Sequence, residues 1–288
     1  MNKSSVILEK ERDFTDLMNG TFAFIGQEFK MLLKTIGLYA GILIILSAIA
    51  DAYYADATIS NIVNMAASSG DYSVFATTNW KLWSLLSATQ FLTQFLIGGL
   101  VCAYMVVYRD KGRGNFEVTD VWKAFIGKLP LALMLTFVVF LMICIGMMFC
   151  FLPGIYLLVP LSLVLMVLYA ENVDFGNAIS RSFKLVSGNW WFTFGFIIVV
   201  SIIVSIIGYI FSLPAVIIGI VQGVSMITEE AAELSNSAAI IVSTVVSAVG
   251  QYFIVPVLHI AVALQYFNLK ERKDKTSLFR KVSEIGNN

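Results

Sequence analysis

Long stretches of the chain contain no charged side chain, and short polar segments separate them. The charge-free stretches cover residues 35–50, 82–108, 129–170, 185–228 and 234–269. A helix that crosses about 30 Å of hydrocarbon needs roughly 20 apolar residues, and the four longer stretches reach that length. The pattern predicts an all-α polytopic membrane protein. Its six predicted spans are residues 35–54, 82–108, 130–150, 152–170, 190–212 and 238–267.

Two of the charge-free stretches are longer than a single span requires. The 129–170 stretch contains Leu152-Pro153-Gly154, so we expect a tight turn there between the third and fourth spans. If the 185–228 stretch formed two spans, the second, residues 213–228, would be too short, and a seventh span would move the basic C-terminus to the outer side of the membrane. We therefore expect residues 213–228 to form an outer-face or partly re-entrant segment.

Each predicted pair of spans follows a stretch with apolar residues at helical spacing. The predicted N-caps of these three lead-in helices are Asp13, Thr119 and Asp174. Such helices lie in the membrane interface, with their cations toward the headgroups. The predicted fold is thus three hairpins, each preceded by a cytoplasmic interfacial amphipathic helix. Their predicted apolar faces are Met18, Phe22, Ile25, Phe29 and Leu32; then Trp122, Phe125, Ile126 and Leu129, opposite Lys123 and Lys128; then Phe175, Ile179, Phe183 and Val186.

The basic residues give the chain an orientation, because Lys and Arg concentrate on the cytoplasmic side of a membrane. Of the 19 Lys and Arg residues, 18 lie before residue 35, in the loops 109–129 and 171–189, or after residue 267. Six spans place all four of these segments on one side. We therefore expect both termini in the cytoplasm, a single transmembrane domain over residues 1–288 and a basic cytoplasmic tail at 268–288. The outer segments are expected to carry acids, including Asp51.

The composition offers little material for soluble catalysis. Hydrophobic residues make up 58% of the chain and charged residues 13%, and there is one histidine. No glycine-rich phosphate loop follows a strand, and a single histidine cannot build a metal site with carboxylates that lie outside the spans. We expect no enzymatic activity, no cofactor, no metal and no nucleic-acid partner. Cys102, Cys144 and Cys150 fit no zinc or disulfide spacing and are expected to act as small buried apolar groups.

The spans contain one candidate polar cluster. It consists of His259 with Gln90, Gln94 and Gln251, and Pro256 interrupts the helix one turn before the histidine. Intramembrane polar residues indicate either a solute or proton path or ordinary hydrogen bonds between helices. Both interpretations remain open from the sequence.

The third lead-in helix carries the second candidate site. Trp190 and Trp191 fall where the next span enters the bilayer, in the aromatic belt. Arg181 and Lys184 can bind anionic headgroups or a partner, or pair with neighbouring acids such as Glu171. The sequence therefore predicts either a structural anchor or a docking surface.

These motifs resemble a known family. The resemblance is to the membrane domain attached to some bacterial glycerophosphoryl diester phosphodiesterases, and to related stand-alone six-helix membrane proteins found in Bacteroidota. It implies a multi-pass protein of the bacterial cytoplasmic (inner) membrane. It implies no phosphodiesterase activity, because that active site belongs to a separate barrel domain outside the resemblance. The residues that carry it are Leu152-Pro-Gly-Ile-Tyr156, Glu171, Ala178-x-x-Arg-Ser182, Gly188-Asn-Trp-Trp191 and Tyr266-Phe-Asn-Leu-Lys-Glu-Arg-Lys273.

The sequence thus predicts a non-enzymatic integral membrane protein that acts as a scaffold or accessory subunit in an envelope complex or lipid-associated process. Its expected partners are membrane lipids and other membrane proteins. The alternative is a small-solute transporter or channel component with a polar site near His259.

Overall fold

The structure is a computed structural model that describes residues 5–67, 80–149, 151–225 and 237–275. All regular structure within those ranges is α-helix. The helices are α1 (Phe14–Tyr39), α2 (Gly41–Ala67), α3 (Trp80–Lys111), α4 (Val118–Ile126), α5 (Leu129–Phe149), α6 (Phe151–Leu161), α7 (Val164–Glu171), α8 (Phe175–Val186), α9 (Trp190–Ser225) and α10 (Ser237–Asp274).

Five stretches of helix are long and apolar enough to cross a membrane. They are α3, α5, α6 continued by α7, α9 and α10; α1 and the first part of α2 reach this length and apolarity only when the bent pair is taken as one span. The predicted all-α polytopic membrane protein is therefore confirmed. A helix also precedes each pair of long helices, at α1, α4 and α8, as the hydrophobic pattern predicts.

Several helices extend beyond their predicted ends. α2 continues to Ala67, and α9 runs through Pro214 to Ser225, so the predicted re-entrant segment at 213–228 is helical as far as the description reaches. α10 likewise continues to Asp274, into the segment predicted as a tail. Proline removes one hydrogen bond from a helix without necessarily ending it, since lipid favours helix over any open backbone. Residues 226–228 and 276–288 lie outside the described ranges.

Most of the predicted apolar face of α1 is not buried within the protein. Phe22 and Phe29 are 43% and 53% exposed, whereas Leu32 is 5% exposed, and the helix also buries the polar Glu28. The prediction directed this face toward the acyl region of the membrane, and the exposure of the two aromatic side chains fits that position. In a membrane protein they are equally stable against lipid, and the polar side chains are the ones that need partners inside.

Two of the three predicted caps are confirmed. Asp13 accepts the N–H of Asp16 at 2.7 Å, and Asp174 accepts that of Asn177 at 3.3 Å. Thr119 is not the cap of α4, which begins at Val118 with Glu117 before it. The Asp120 carboxylate accepts the Glu117 N–H at 3.0 Å, and this bond fixes the start of the helix.

The predicted apolar face of α4 is buried only in part. Its Phe125 is buried, together with Val118 and Val121, whereas Ile126 is 46% exposed. Lys128 was expected to face away from the apolar side, but its ammonium group bonds to backbone carbonyls of α7.

The chain divides into two compact units. Unit 1 comprises Met1–Ile36, Ile97–Val204 and Pro256–Asn288, and unit 2 comprises Gly37–Leu96 and Ser205–Val255. The core of unit 1 is built largely from α3, α7 and α10. Residues 260–269 of α10 are all buried, so this part of the helix is surrounded by protein. A helix segment that is largely apolar on every side belongs in such a position, and its Gln265 and Asn268 then need partners inside the protein.

Candidate functional site

An ion-pair network joins α7, α8 and α10 in unit 1. The Arg181 Nε donates to both carboxylate oxygens of Glu171, at 2.9 and 3.1 Å, and an Arg181 Nη bonds to Asp274. The Tyr266 hydroxyl donates to the Glu171 Oε1 at 2.9 Å. The side chains of Arg181 and Glu171 are only 26% and 15% exposed. The guanidinium is therefore held on two sides by carboxylates of its own chain.

The local sequence explains how Glu171 reaches this position. It is the last residue of α7, and Asn172 ends the helix in the left-handed conformation with φ 55°. The last carbonyls of the helix accept bonds from cations: Leu168 from Lys128 at 2.8 Å and Ala170 from Arg109 at 3.2 Å. Cations at a helix C-terminus satisfy unpaired carbonyls and oppose the negative end of the dipole. Burial, and then the nearby Arg109 charge, lower the pKa of Lys128.

The predicted headgroup or partner site divides into inward and outward side chains. Arg181 is bonded internally, and the Trp190 ring stacks on Tyr156 and Phe194 with centroid distances of 5.7 and 4.9 Å. Lys184 is exposed, and Trp191 is 78% exposed. Two of the four predicted residues therefore hold unit 1 together, and two face outward.

A second outward cation, Lys273, lies beside the loop between α8 and α9. The Lys273 Nζ is 4.0 Å from the position that a Cβ on Gly188 would occupy. Gly188 itself has φ +81°, a conformation that favours glycine. We call Lys184, Trp191 and Lys273 the outward patch.

Sequence reasoning missed a buried carboxylate in α1. Glu28 is 5% exposed; it accepts the Tyr104 hydroxyl at 2.6 Å and pairs with the Arg113 Nε at 2.9 Å. Arg113 stands between Gly112 and Gly114, whose φ values of +77° and +76° shape the turn after α3. One feature of the sequence could have indicated this buried carboxylate: Glu28 is the only acid between residues 17 and 50.

A second buried polar network surrounds the start of α1. The Arg12 N–H donates to the Asn268 Oδ1 at 2.8 Å, and the Arg272 guanidinium donates to the Arg12 carbonyl at 2.6 Å. Gln265 continues the network by donating to the Thr193 hydroxyl at 2.8 Å. The Tyr266-to-Lys273 motif therefore supplies the polar interior of unit 1. Burial lowers the pKa of Arg12.

The four residues of the predicted polar cluster have different surroundings. In unit 2, Gln251 donates to the Ser212 hydroxyl at 3.0 Å and Gln94 is exposed on α3. In unit 1, the His259 ring packs on Gly98, with its Cε1 2.9 Å from the position of an added Cβ. Gln90, in unit 2, bonds to a residue that the sequence placed outside the membrane, Asp51.

Metal-binding residues do not gather within the described ranges. No group of three or more His, Cys, Asp or Glu side chains there could hold an ion. Cys102 is buried, Cys144 is half-buried, and both are free thiols, whereas Cys150 lies outside the description.

Comparison with known proteins identifies no relative: no family model, curated protein or solved structure matches the chain. The resemblance to phosphodiesterase-associated membrane domains stays a prediction. The conclusion that this is a helical membrane protein therefore depends on its helices and their contacts alone.

Proposed function

We propose that the protein is a non-enzymatic scaffold or accessory subunit of the bacterial inner membrane, in an envelope complex or lipid-associated process. Both termini then lie in the cytoplasm, as the distribution of basic residues predicts. The observation that carries the proposal is the internal bonding of Arg181 to Glu171 and Asp274. These paired charges hold α7, α8 and α10 together, and they leave few free hydrogen-bonding groups for a substrate.

The outward patch supplies the contact surface in this proposal. Lys184 and Lys273 present ammonium groups, and Trp191 presents an indole at the start of a membrane-crossing helix. A lysine near an anionic membrane surface contributes about 1 kcal/mol, and tryptophan prefers the headgroup level. The patch therefore suits anionic phospholipid headgroups around a fixed helical framework.

The test is the retention of lipid and partner protein by the full-length chain in a mild detergent. The double variant Lys184→Ala/Trp191→Ala removes two members of the outward patch, and native mass spectrometry measures bound anionic phospholipid and co-purified protein. We expect retention to fall about fivefold, because one cation–headgroup contact is worth about 1 kcal/mol.

The chain offers a matched control. Lys81 and Trp83 are likewise exposed, at the start of α3 in unit 2. Lys81→Ala/Trp83→Ala should leave retention unchanged, since the proposal places those residues at the outer face. Equal losses in both double variants, or no loss in either, would count against the proposed surface. A wild-type protein that retains neither lipid nor partner would contradict the scaffold function itself.

A further inference from the structure

A hydrogen-bond chain crosses three helices of unit 2. The Gln90 Nε2 on α3 donates to both carboxylate oxygens of Asp51 on α2, at 2.8 Å each. The Gln90 Oε1 accepts the hydroxyl of Tyr252 on α10 at 3.0 Å. One turn along α2, the Ser47 and Thr93 hydroxyls meet at 2.7 Å. We call Asp51, Gln90 and Tyr252 the Asp51 triad.

Gln90 places the triad within the apolar part of α3, a helix long enough to cross a membrane. Trp80 and Trp83 open α3 and are 58% and 47% exposed, as expected for aromatic residues at a membrane surface. Gln90 follows Trp83 by two turns, or about 10 Å along the helix axis. Asp51, bonded to Gln90, is therefore a carboxyl group at hydrocarbon depth and not a residue of an outer loop.

No cation in the described part of the chain pairs with the carboxyl group of Asp51. Lys81 is the only basic residue in the sequence of unit 2, and it is exposed nine residues before Gln90. Of the side chains that bond to the carboxyl group or to its amide partner, α3 brings the neutral Gln90 and α10 brings Tyr252, also neutral at ordinary pH.

An uncompensated carboxylate at this depth is energetically costly, and binding a proton removes the charge. Gln90 can form a hydrogen bond with both the ionised and the protonated form of Asp51. As found, it donates to a carboxylate and accepts from Tyr252. If its amide turns over, the carbonyl oxygen accepts the new Asp51 O–H and the amino group donates to the Tyr252 oxygen.

We propose that the Asp51 triad is a proton-binding site within the membrane. Asp51 takes up one proton at a carboxylate oxygen and releases it again, and Gln90 reverses its amide at each exchange. Tyr252 is 4% exposed and fixes the amide in either orientation. The site is independent of the scaffold function, because it lies in unit 2 and uses none of the outward patch.

Infrared difference spectroscopy of the full-length protein in lipid nanodiscs tests the proposal, with titration between about pH 4 and about pH 10. We expect a carboxylic-acid carbonyl band in the wild type that is lost as the pH rises and is missing from the spectrum of Asp51→Asn. Asp120→Asn, which changes a carboxylate on the exposed start of α4, should keep this band. Titration spectra of Asp51→Asn that match those of the wild type would overturn the proposal.

A second variant tests the role of the triad while Asp51 remains in place. Gln90→Leu removes the donor that stabilises the ionised form, so the band should persist to a pH about one unit higher than in the wild type. An unchanged midpoint would show that Gln90 does not bind the titrating group. The titration can also be repeated at several sodium concentrations. A band intensity that changes with sodium concentration at fixed pH would assign the site to a metal ion and overturn proton binding.

Discussion

The indole Nε1 of Trp190 donates a hydrogen bond to the backbone carbonyl of Tyr156, at 3.2 Å. Pro160 stands four residues after Tyr156 and has no N–H, so the carbonyl lacks its ordinary helical partner. The Trp190 indole, which belongs to another helix, therefore takes the place of the backbone N–H that proline lacks. The two rings also stack, with an interplanar angle of 14°.

This relationship predicts a coupling between Trp190 and Pro160. Trp190→Phe keeps a stacking ring but removes the donor, and should lower the free energy of unfolding by about 1 kcal/mol. Pro160→Ala restores a backbone N–H for Tyr156, so the same tryptophan change should cost less in that background. Thermal unfolding of the four proteins of this double-mutant cycle measures the coupling. Equal costs in both backgrounds would show that the hydrogen bond does not matter.

The network around Arg181 predicts a larger effect. Arg181→Met leaves Glu171 and Asp274 without their cation in a mostly buried place, and should destabilise unit 1 by about 2 kcal/mol. Lys184→Met, on the exposed side of the same helix, should change stability by less than about 0.5 kcal/mol. Adding Glu171→Gln to Arg181→Met should recover part of the loss, because the uncompensated charge is removed. Chemical denaturation in detergent measures all three, and a loss that Glu171→Gln deepens would contradict this account.

Close packing at Gly99 predicts a steric effect. A Cβ on Gly99 would lie 2.5 Å from the Cε2 of Phe125, a ring carbon of a fully buried side chain. Gly99→Ala should therefore destabilise the protein by about 1–3 kcal/mol. Phe125→Leu removes that atom and should reduce the penalty when the two changes are combined.

The matched control for this clash is Gly26 in α1, where an added Cβ meets nothing within 4 Å. Gly26→Ala should raise stability slightly, because alanine favours helix by about 1 kcal/mol over glycine. Thermal unfolding of the variants compares the two positions. If Gly99→Ala were as stable as Gly26→Ala, the contact between α3 and α4 would be looser than the structure shows.

Asp120 predicts a pH dependence at the start of α4. The Glu117 N–H and then Lys111 hold the pKa of this carboxyl below its usual range. A lowered folded-state pKa gives stability that is complete above the unfolded value of about 3.9 and is lost as the pH falls through the folded value. Asp120→Asn should therefore be less stable than the wild type at neutral pH, with the difference disappearing in acid below about pH 4.

Thermal unfolding of both proteins across this range provides the measurement. Glu117→Gln removes a neighbouring charge but keeps the backbone N–H that Asp120 accepts, so its difference from the wild type should not follow the same course. A difference between Asp120→Asn and the wild type that persists in acid would assign the stabilisation to something other than the carboxylate.

Sequence patterns predicted the helices more reliably than the surroundings of their side chains. The caps Asp13 and Asp174 were predicted correctly because an N-cap side chain bonds to a backbone N–H at most three positions later. Both partners of such a bond can be read from the local sequence. Apolar periodicity identified the apolar residues of α1 but not which of them contact protein, because periodicity does not distinguish lipid from protein interior. Asp51 was placed outside the membrane because a charge at the end of an apolar run normally marks its boundary. Its partner Gln90 is 39 positions away, and Tyr252, which bonds to Gln90, is 162 positions from it.

The amino-acid sequence by itself determined that this is an all-α membrane protein with helices of membrane-crossing length, because hydrocarbon thickness and backbone hydrogen bonding act on each segment separately. The tertiary fold decided which polar groups meet. Arg181 with Asp274, Arg12 with Asn268 and Tyr252 with Gln90 are each separated by more than 90 residues. Bonds of that kind depend on how helices pack, and each partner must be found because an unpaired polar group inside an apolar protein is costly.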